Sequence, residues 1–123
     1  YLEPPLERSR LFCQDEDVLG CCELISYPEQ QTVEIAALSV ALACRNQGIG
    51  RELVNVVLGE LKRQGVQRAI ALSTREDNVF MNCGFKECSL EDLPPDKRFN
   101  YDSPQSKIYI YSLVEPDKDL STD

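Results

Sequence analysis

The sequence predicts one α/β domain, because a hairpin is followed along the chain by a strand, a helix and another strand. Apolar residues 11–13 and 18–25 flank an acidic stretch, which predicts the hairpin. Residues 32–40 form a nearly continuous apolar run, typical of a strand buried on both faces. Residues 48–64 repeat apolar side chains at three- and four-residue steps, as an amphipathic helix does, and the apolar stretch 67–73 predicts the next strand.

Shorter elements are predicted on either side of this central part. Residues 77–83 have the pattern of a short helix, and a short strand begins at Phe85. Residues 93–96, which include two prolines, interrupt the chain after that strand. Alternation over 106–113 predicts a last strand, whereas the charged, proline-containing residues 1–10 form a short helix or an irregular arm.

Length and composition are those of one globular domain. We expect residues 1–114 to fold as this domain and the polar residues 115–123 to fray. Thirteen Lys and Arg stand against 21 Asp and Glu, and a net charge of −8 argues against nucleic acid as a partner. The sequence shows neither an apolar run of about 18 residues nor a signal-peptide pattern, so we expect no membrane partner.

The six cysteines do not have the spacing of a metal site, and there is no histidine to complete one. Most lie in apolar segments, where a free cysteine behaves as a small hydrophobic residue. We therefore expect buried, reduced thiols, no metal and a reducing compartment, either the cytoplasm or an organelle interior such as the plastid stroma.

A glycine loop lies between the apolar strand and the long helix. Arg45, Gly48 and Gly50 form an Arg-x-x-Gly-x-Gly pattern that runs into the helix. Glycines at a helix N-terminus let backbone N–H groups approach an anion closely, and the helix dipole favours negative charge there. The spacing is neither that of a P-loop nor that of a dinucleotide-binding fold. We expect a phosphate-bearing ligand.

This loop resembles a motif of the GCN5-related N-acetyltransferases (GNAT), in which Arg/Gln-x-x-Gly-x-Gly/Ala follows a strand. Residues 78–85 resemble a second segment of that family, Asn-x-x-Phe/Tyr-x-x-x-Gly-Phe, so the resemblance extends over about residues 32–85. It implies a mixed, largely antiparallel sheet with flanking helices, in which two parallel strands splay apart around acetyl-CoA. The implied residues that bind the cofactor are Leu38, Ser39, Val40, Arg45, Gln47, Gly48, Ile49, Gly50, Arg51, Asn78 and Phe80.

Further short matches resemble the acetyltransferase domains of N-acetylglutamate synthases, which make the first committed intermediate of arginine biosynthesis. Among them are residues 5–10, 27–29, 33–36 and 84–89. This resemblance implies an enzyme that transfers acetyl from acetyl-CoA to the α-amine of glutamate. The GCN5-related family usually has a first strand and two helices before the hairpin. Either the corresponding residues lie upstream of Tyr1, or another chain, as in a homodimer, closes the sheet edge.

Two positions depart from the pattern of the synthases. Gln31 stands where a lysine is typical, and Pro104-Gln105 stand where an arginine is usual. A guanidinium–carboxylate contact contributes roughly 1.5–3 kcal/mol, so fewer pocket cations weaken the case for glutamate. The alternatives are acetylation of another amino acid or small amine, and a non-catalytic module that binds CoA or has a regulatory role.

Acetyl transfer needs a proton acceptor for the ammonium group and a donor for the thiolate. Glu34 lies mid-strand in an apolar run, so its partly desolvated carboxylate is the candidate base. Many family members use a tyrosine donor where this chain has Phe80, which leaves Tyr101 and Ser106 as candidate catalytic donors. The candidate substrate-binding residues, which would hold the carboxylates, are Arg8, Arg10, Arg75, Ser106 and Lys107.

Overall fold

The computed structural model describes residues 9–74, 78–99 and 106–114. Within these ranges no helix has both the length and the apolar character needed to cross a membrane. The strands and α-helices of the described ranges are β1 (Ser9–Gln14), β2 (Asp17–Tyr27), β3 (Thr32–Val40), α1 (Ile49–Arg63), β4 (Arg68–Ser73), α2 (Val79–Asn82), β5 (Lys86–Cys88), α3 (Pro95–Phe99) and β6 (Lys107–Ser112).

The six strands of the described ranges form one mixed sheet in the order β1-β2-β3-β4-β6-β5. Strands β3 and β4 are parallel, and every other neighbouring pair is antiparallel. A parallel pair needs a crossover connection, which α1 supplies between β3 and β4. This arrangement confirms the mixed, largely antiparallel sheet that was predicted.

The two faces of the sheet differ in what covers them. We call the side under α1 the helix face, where buried side chains of α1 such as Leu53 and Val57 join Ile35 and Tyr109 in the main core. The second side, which we call the α3 face, carries a smaller cluster of buried residues. That cluster consists of Ile70, Leu93 and Ile108, with Tyr27, Leu72, Cys88 and Ile110 packed against it.

Most predicted elements are confirmed, with ends that shift by one or two residues, but one prediction is wrong and another is incomplete. Ser9 and Arg10 are not part of a helix or irregular arm, because both pair with β2 in β1. The chain around 93–96 does more than interrupt a strand, because helix α3 begins at Pro95. A proline fits the first position of a helix, where its missing N–H would have no intrahelical partner.

The six cysteines are free thiols, as predicted, but burial of most of them was wrong. Cys22 is the buried one, and Cys13 is exposed. Burial raises the pKa of the Cys22 thiol to about 11, so it stays protonated at neutral pH and behaves as a core residue. Burial likewise raises the pKa of Cys88 to about 11.

Gly20 lies in β2 at a point where the backbone of the neighbouring strand β3 comes very close. A Cβ added at Gly20 would lie 2.9 Å from the backbone oxygen of Ser39, closer than two such atoms can approach. Gly20→Ala should therefore displace the strands and lower the free energy of unfolding by about 1–3 kcal/mol. Chemical denaturation measures this change.

The matched control is Gly59→Ala in the middle of α1. A Cβ there has Arg63 Nη1 at 3.5 Å as its neighbour, an ordinary contact, and alanine favours the helix by about 1 kcal/mol. Equal denaturation midpoints for Gly20→Ala and the wild type would show that β2 and β3 can accommodate the methyl group without loss of stability.

Candidate active site

Strands β3 and β4 run together over a short distance and then part. Their parallel pairing joins Thr32 with Arg68 and Val33 with Ala69, and ends where Glu34 meets Ile70. Beyond this point the register of β3 against β2 shifts by one residue. Ala37 adopts a left-handed φ of 52° at this bulge. Because a bulge bends its strand, β3 turns away from β4 and a gap opens between them.

A cleft of about 970 Å³ occupies this gap, and most of the predicted cofactor residues line it. Ser106, a predicted proton donor, lines the cleft too. Gln47 is the exception among the predicted cofactor residues, since its amide Nε2 donates to the carbonyl of Ala43 at 3.3 Å instead. The predicted cofactor residues in the wall of the cleft are Leu38, Ser39, Val40, Arg45, Gly48, Ile49, Gly50, Arg51, Asn78 and Phe80.

The N-terminus of α1 opens into the cleft without a side-chain cap. Gly48 is the N-cap residue, with φ 80° and ψ 11°, a left-handed conformation that glycine adopts without strain. Its carbonyl accepts the first helical bond, from Glu52 N–H at 3.0 Å. The N–H groups of the first turn have no partners within the helix, and their dipoles favour an anion. Arg45 and Arg51 add positive charge to the same wall.

Asn78 and Phe80 shape the far wall of the cleft through structural contacts. The Asn78 side chain caps α2 by accepting from the N–H groups of Phe80 at 3.0 Å and Met81 at 3.1 Å. The Phe80 ring packs edge-on against Phe85, with centroids 5.2 Å apart. These contacts hold the start of α2 in place opposite the N-terminus of α1.

Glu34, the candidate base, lies where β3 and β4 part, and the next residue, Ile35, lines the cleft. Its side chain points to the α3 face and is buried, at 5% exposure for the residue. One carboxylate oxygen, Oε1, contacts Lys97 Nζ at 3.1 Å and accepts from the Tyr27 hydroxyl at 3.4 Å. Burial and the charge of Glu34 raise the pKa of Tyr27 to about 12, so its phenol remains a donor at neutral pH.

The predicted substrate cations do not gather around Glu34 in the described part of the chain. Arg10 projects to the helix face, where its Nε contacts Glu60 Oε2 at 2.8 Å. Lys107 pairs with Ser73 of β4 and so lies on the helix face as well, with its Nζ 3.9 Å from Glu87 Oε1. The positions of Arg10 and Lys107 therefore do not support a substrate-binding role for either residue. Arg8, Arg75 and Tyr101 lie outside the described residues.

Lys97 was not among the predicted site residues, although its ammonium group contacts Glu34. It lies in α3, of which the first two residues alone fall within the interruption predicted at 93–96. The available signal was the Pro-Asp pair at 95–96, since proline and an acidic residue are favoured in the first turn of a helix. A helix of five residues is too short for hydrophobic periodicity to detect.

Arg10→Ala should affect stability and leave substrate affinity unchanged. The mutation leaves Glu60 in a partly buried position without this partner, at 17% side-chain exposure. We expect a loss of about 1–3 kcal/mol in the free energy of unfolding, between the values for exposed and buried ion pairs. Denaturation and steady-state kinetics together test this, and a raised KM in a variant of wild-type stability would contradict it.

The chain is similar to known proteins in sequence and in fold. The model of the acetyltransferase (GNAT) family matches residues 2–85. An amino-acid acetyltransferase of Mannheimia succiniciproducens is 30% identical over 115 residues, which cover 93% of this chain and 26% of that protein. A second amino-acid acetyltransferase, from Ralstonia nicotianae, is 31% identical over 100 residues, covering 81% of this chain and 22% of that protein.

Solved structures give the same grouping. N-acetylglutamate synthase from Neisseria gonorrhoeae, complexed with coenzyme A and N-acetyl-glutamate, superposes with a TM-score of 0.78 at 28% identity, covering 89% of this chain and 26% of that chain. Tetrahymena GCN5 shares the fold, with a TM-score of 0.69 at 20% identity, covering 86% of this chain and 68% of that chain. The chain spans about a quarter of the length of the amino-acid acetyltransferases and of the synthase. Because the family model matches more than half of its residues, the chain belongs to the acetyltransferase (GNAT) family.

Proposed function

We propose that this domain transfers the acetyl group of acetyl-CoA to the α-amine of an amino acid, with glutamate as the leading acceptor. The observation that carries this proposal is the cleft between β3 and β4, which has an open helix N-terminus in its wall. The buried carboxylate of Glu34 lies where the two strands part, next to Ile35 in the cleft wall, although Glu34 itself does not line the cleft. Relatives named amino-acid acetyltransferase, and a synthase structure with coenzyme A and N-acetyl-glutamate, support the same function.

In this proposal the N-terminus of α1 binds the pyrophosphate of CoA. The backbone N–H groups of residues 48–51 donate to the phosphate oxygens, and Arg45 adds charge nearby. The pantetheine arm then follows the gap between the strands. At the bulge, Ala37 and Leu38 have no register partner in β2, so the backbone N–H of Leu38 is the candidate to polarise the thioester carbonyl.

Transfer then proceeds by direct attack. Glu34 accepts a proton from the acceptor ammonium, directly or through a water molecule, and the neutral nitrogen attacks the thioester carbon. The C–N bond forms as the C–S bond breaks, and CoA leaves as a thiolate. The nitrogen then loses its second proton, which balances the proton that the thiolate takes up. Ser106 lines the cleft and is a candidate to protonate the thiolate; Tyr101 is the other candidate.

Thiol release is the measurement that tests this function. The protein is incubated with acetyl-CoA and, in separate reactions, with each common amino acid and with simple amines such as putrescine. We expect release above the acceptor-free rate with glutamate, at a KM toward the millimolar end of the usual range of about 1 μM to 1 mM.

Each other outcome identifies a different function. Thiol release with a neutral or cationic acceptor, and none with glutamate, would mean that glutamate is not the substrate. A cationic acceptor would then fit the net charge of −8 on the chain. CoA binding without release for any acceptor would identify a non-catalytic CoA-binding module and overturn the proposal.

A further inference from the structure

The contact between Lys97 and Glu34 joins two poorly exposed charges. Lys97 reaches from α3 on the α3 face of the sheet, and its side chain is 19% exposed, against 6% for that of Glu34. Both Lys97 Nζ and the Tyr27 hydroxyl contact Oε1, so the second oxygen of the carboxylate takes part in neither contact. The ammonium group of Lys97 therefore lies beside the proposed base, where the ammonium group of an acceptor must come.

An acceptor that brought only an amine to Glu34 would compete with Lys97 for the carboxylate. Lys97 would then keep its charge in a mostly buried position without that partner, which is unfavourable. A carboxylate adjacent to the acceptor amine removes this penalty, because it pairs with the lysine as the amine pairs with the glutamate. An α-amino acid carries both charges on one carbon, at a separation that suits such an exchange.

Three other cations on the described sheet are poorly placed for this task. Arg10 and Lys107 lie on the helix face. Arg68 is near Glu34 along the α3 face, but its guanidinium donates to the Gln30 carbonyl at 2.9 Å and to Thr32 Oγ1 at 3.4 Å.

We propose that Lys97 binds the α-carboxylate of the acceptor, and that its contact with Glu34 is exchanged for this one when an α-amino acid enters. Lys97 thereby determines a preference for α-amino acids over amines that lack the carboxylate. This inference rests on the proposed function, because it requires the acceptor amine to lie beside Glu34.

The test compares glutamate with its α-amide, in which the α-carboxylate alone is neutralised. Steady-state kinetics give kcat and KM with acetyl-CoA, and calorimetry gives the affinity of each compound for the CoA-loaded protein. We expect the wild type to prefer glutamate by about tenfold or more in kcat/KM, and Lys97→Met to reduce this preference to about threefold or less, mainly through KM.

Three further variants separate recognition from folding. Lys97→Gln tests the same loss if Lys97→Met is poorly folded, and Lys97→Arg should restore most of the preference because it keeps a cation. Arg98→Met, a change at an exposed neighbour in α3, should leave the preference at the wild-type value.

An unchanged preference in folded Lys97→Met and Lys97→Gln would overturn the inference, and so would a wild type that binds glutamate and its α-amide equally or binds neither. Failure of the proposed function gives a different result. The protein could bind glutamate in preference to its α-amide, with a preference that depends on Lys97, and yet release no CoA thiol. That result would support the carboxylate site and contradict the transfer reaction.

Discussion

Gly48→Val is expected to weaken CoA binding by about tenfold or more while the domain stays folded. Gly48 has a left-handed φ of 80°, where a residue with a Cβ is strained by about 1–2 kcal/mol and a β-branched one by more. Relief of this strain turns the first N–H groups of α1 away from their present direction into the cleft. Calorimetric titration with CoA measures the loss.

Substitutions at two glycines within α1 serve as comparisons for Gly48→Val. A Cβ at Gly50 would lie 3.5 Å from Val40 Cγ2, so the two further methyl groups of Gly50→Val should crowd the same wall and also weaken binding. Gly59→Ala lies in the same helix away from the cleft and should bind CoA as the wild type does. Wild-type affinity in folded Gly48→Val would remove the helix N-terminus from the cofactor site.

Glu34→Gln is expected to lower kcat by about 10²-fold or more and to leave the CoA affinity unchanged. Glutamine keeps the size of the side chain but cannot accept the proton of the acceptor ammonium. The loss should be greatest below the pKa of the acceptor amine, since more of the acceptor is protonated there. Turnover measured between about pH 6 and 9, beside CoA titrations, tests both parts.

Glu29→Gln is the matched control, because Glu29 is exposed in the turn before β3 and should be neutral to turnover. Full turnover of folded Glu34→Gln across the pH range would make Glu34 a structural carboxylate and place the base elsewhere. A parallel fall in CoA affinity would instead indicate that the pair with Lys97 supports the shape of the cleft.

Most of the sheet could be predicted from the sequence because its strands carry strong local patterns. The continuous apolar run of β3 and the three- and four-residue steps of α1 allow little other structure. The bulge at Ala37 could not be found this way, because it depends on how β3 pairs with β2, and an alanine with a left-handed φ has no local signal. The prediction that the two parallel strands part therefore depended on the family resemblance.

The cofactor side of the site was more predictable than the acceptor side. The glycine loop and its helix are contiguous in sequence, so local spacing carried the prediction for residues such as Gly48 and Gly50. The acceptor side depends on which face of the sheet each cation occupies. Arg10 and Lys107 share the helix face, whereas Lys97 reaches Glu34 across 63 residues of chain from a short helix. Sequence spacing does not encode such a contact.

A crystal structure with CoA and N-acetylglutamate would test the central claim most directly. We predict that the pyrophosphate oxygens lie within about 3.2 Å of backbone N–H groups of residues 48–51. We also predict that the amide nitrogen of the product lies within hydrogen-bond reach of Glu34, directly or through one water molecule. A pyrophosphate held away from the α1 N-terminus, or a product bound on the helix face beside Arg10, would contradict the account.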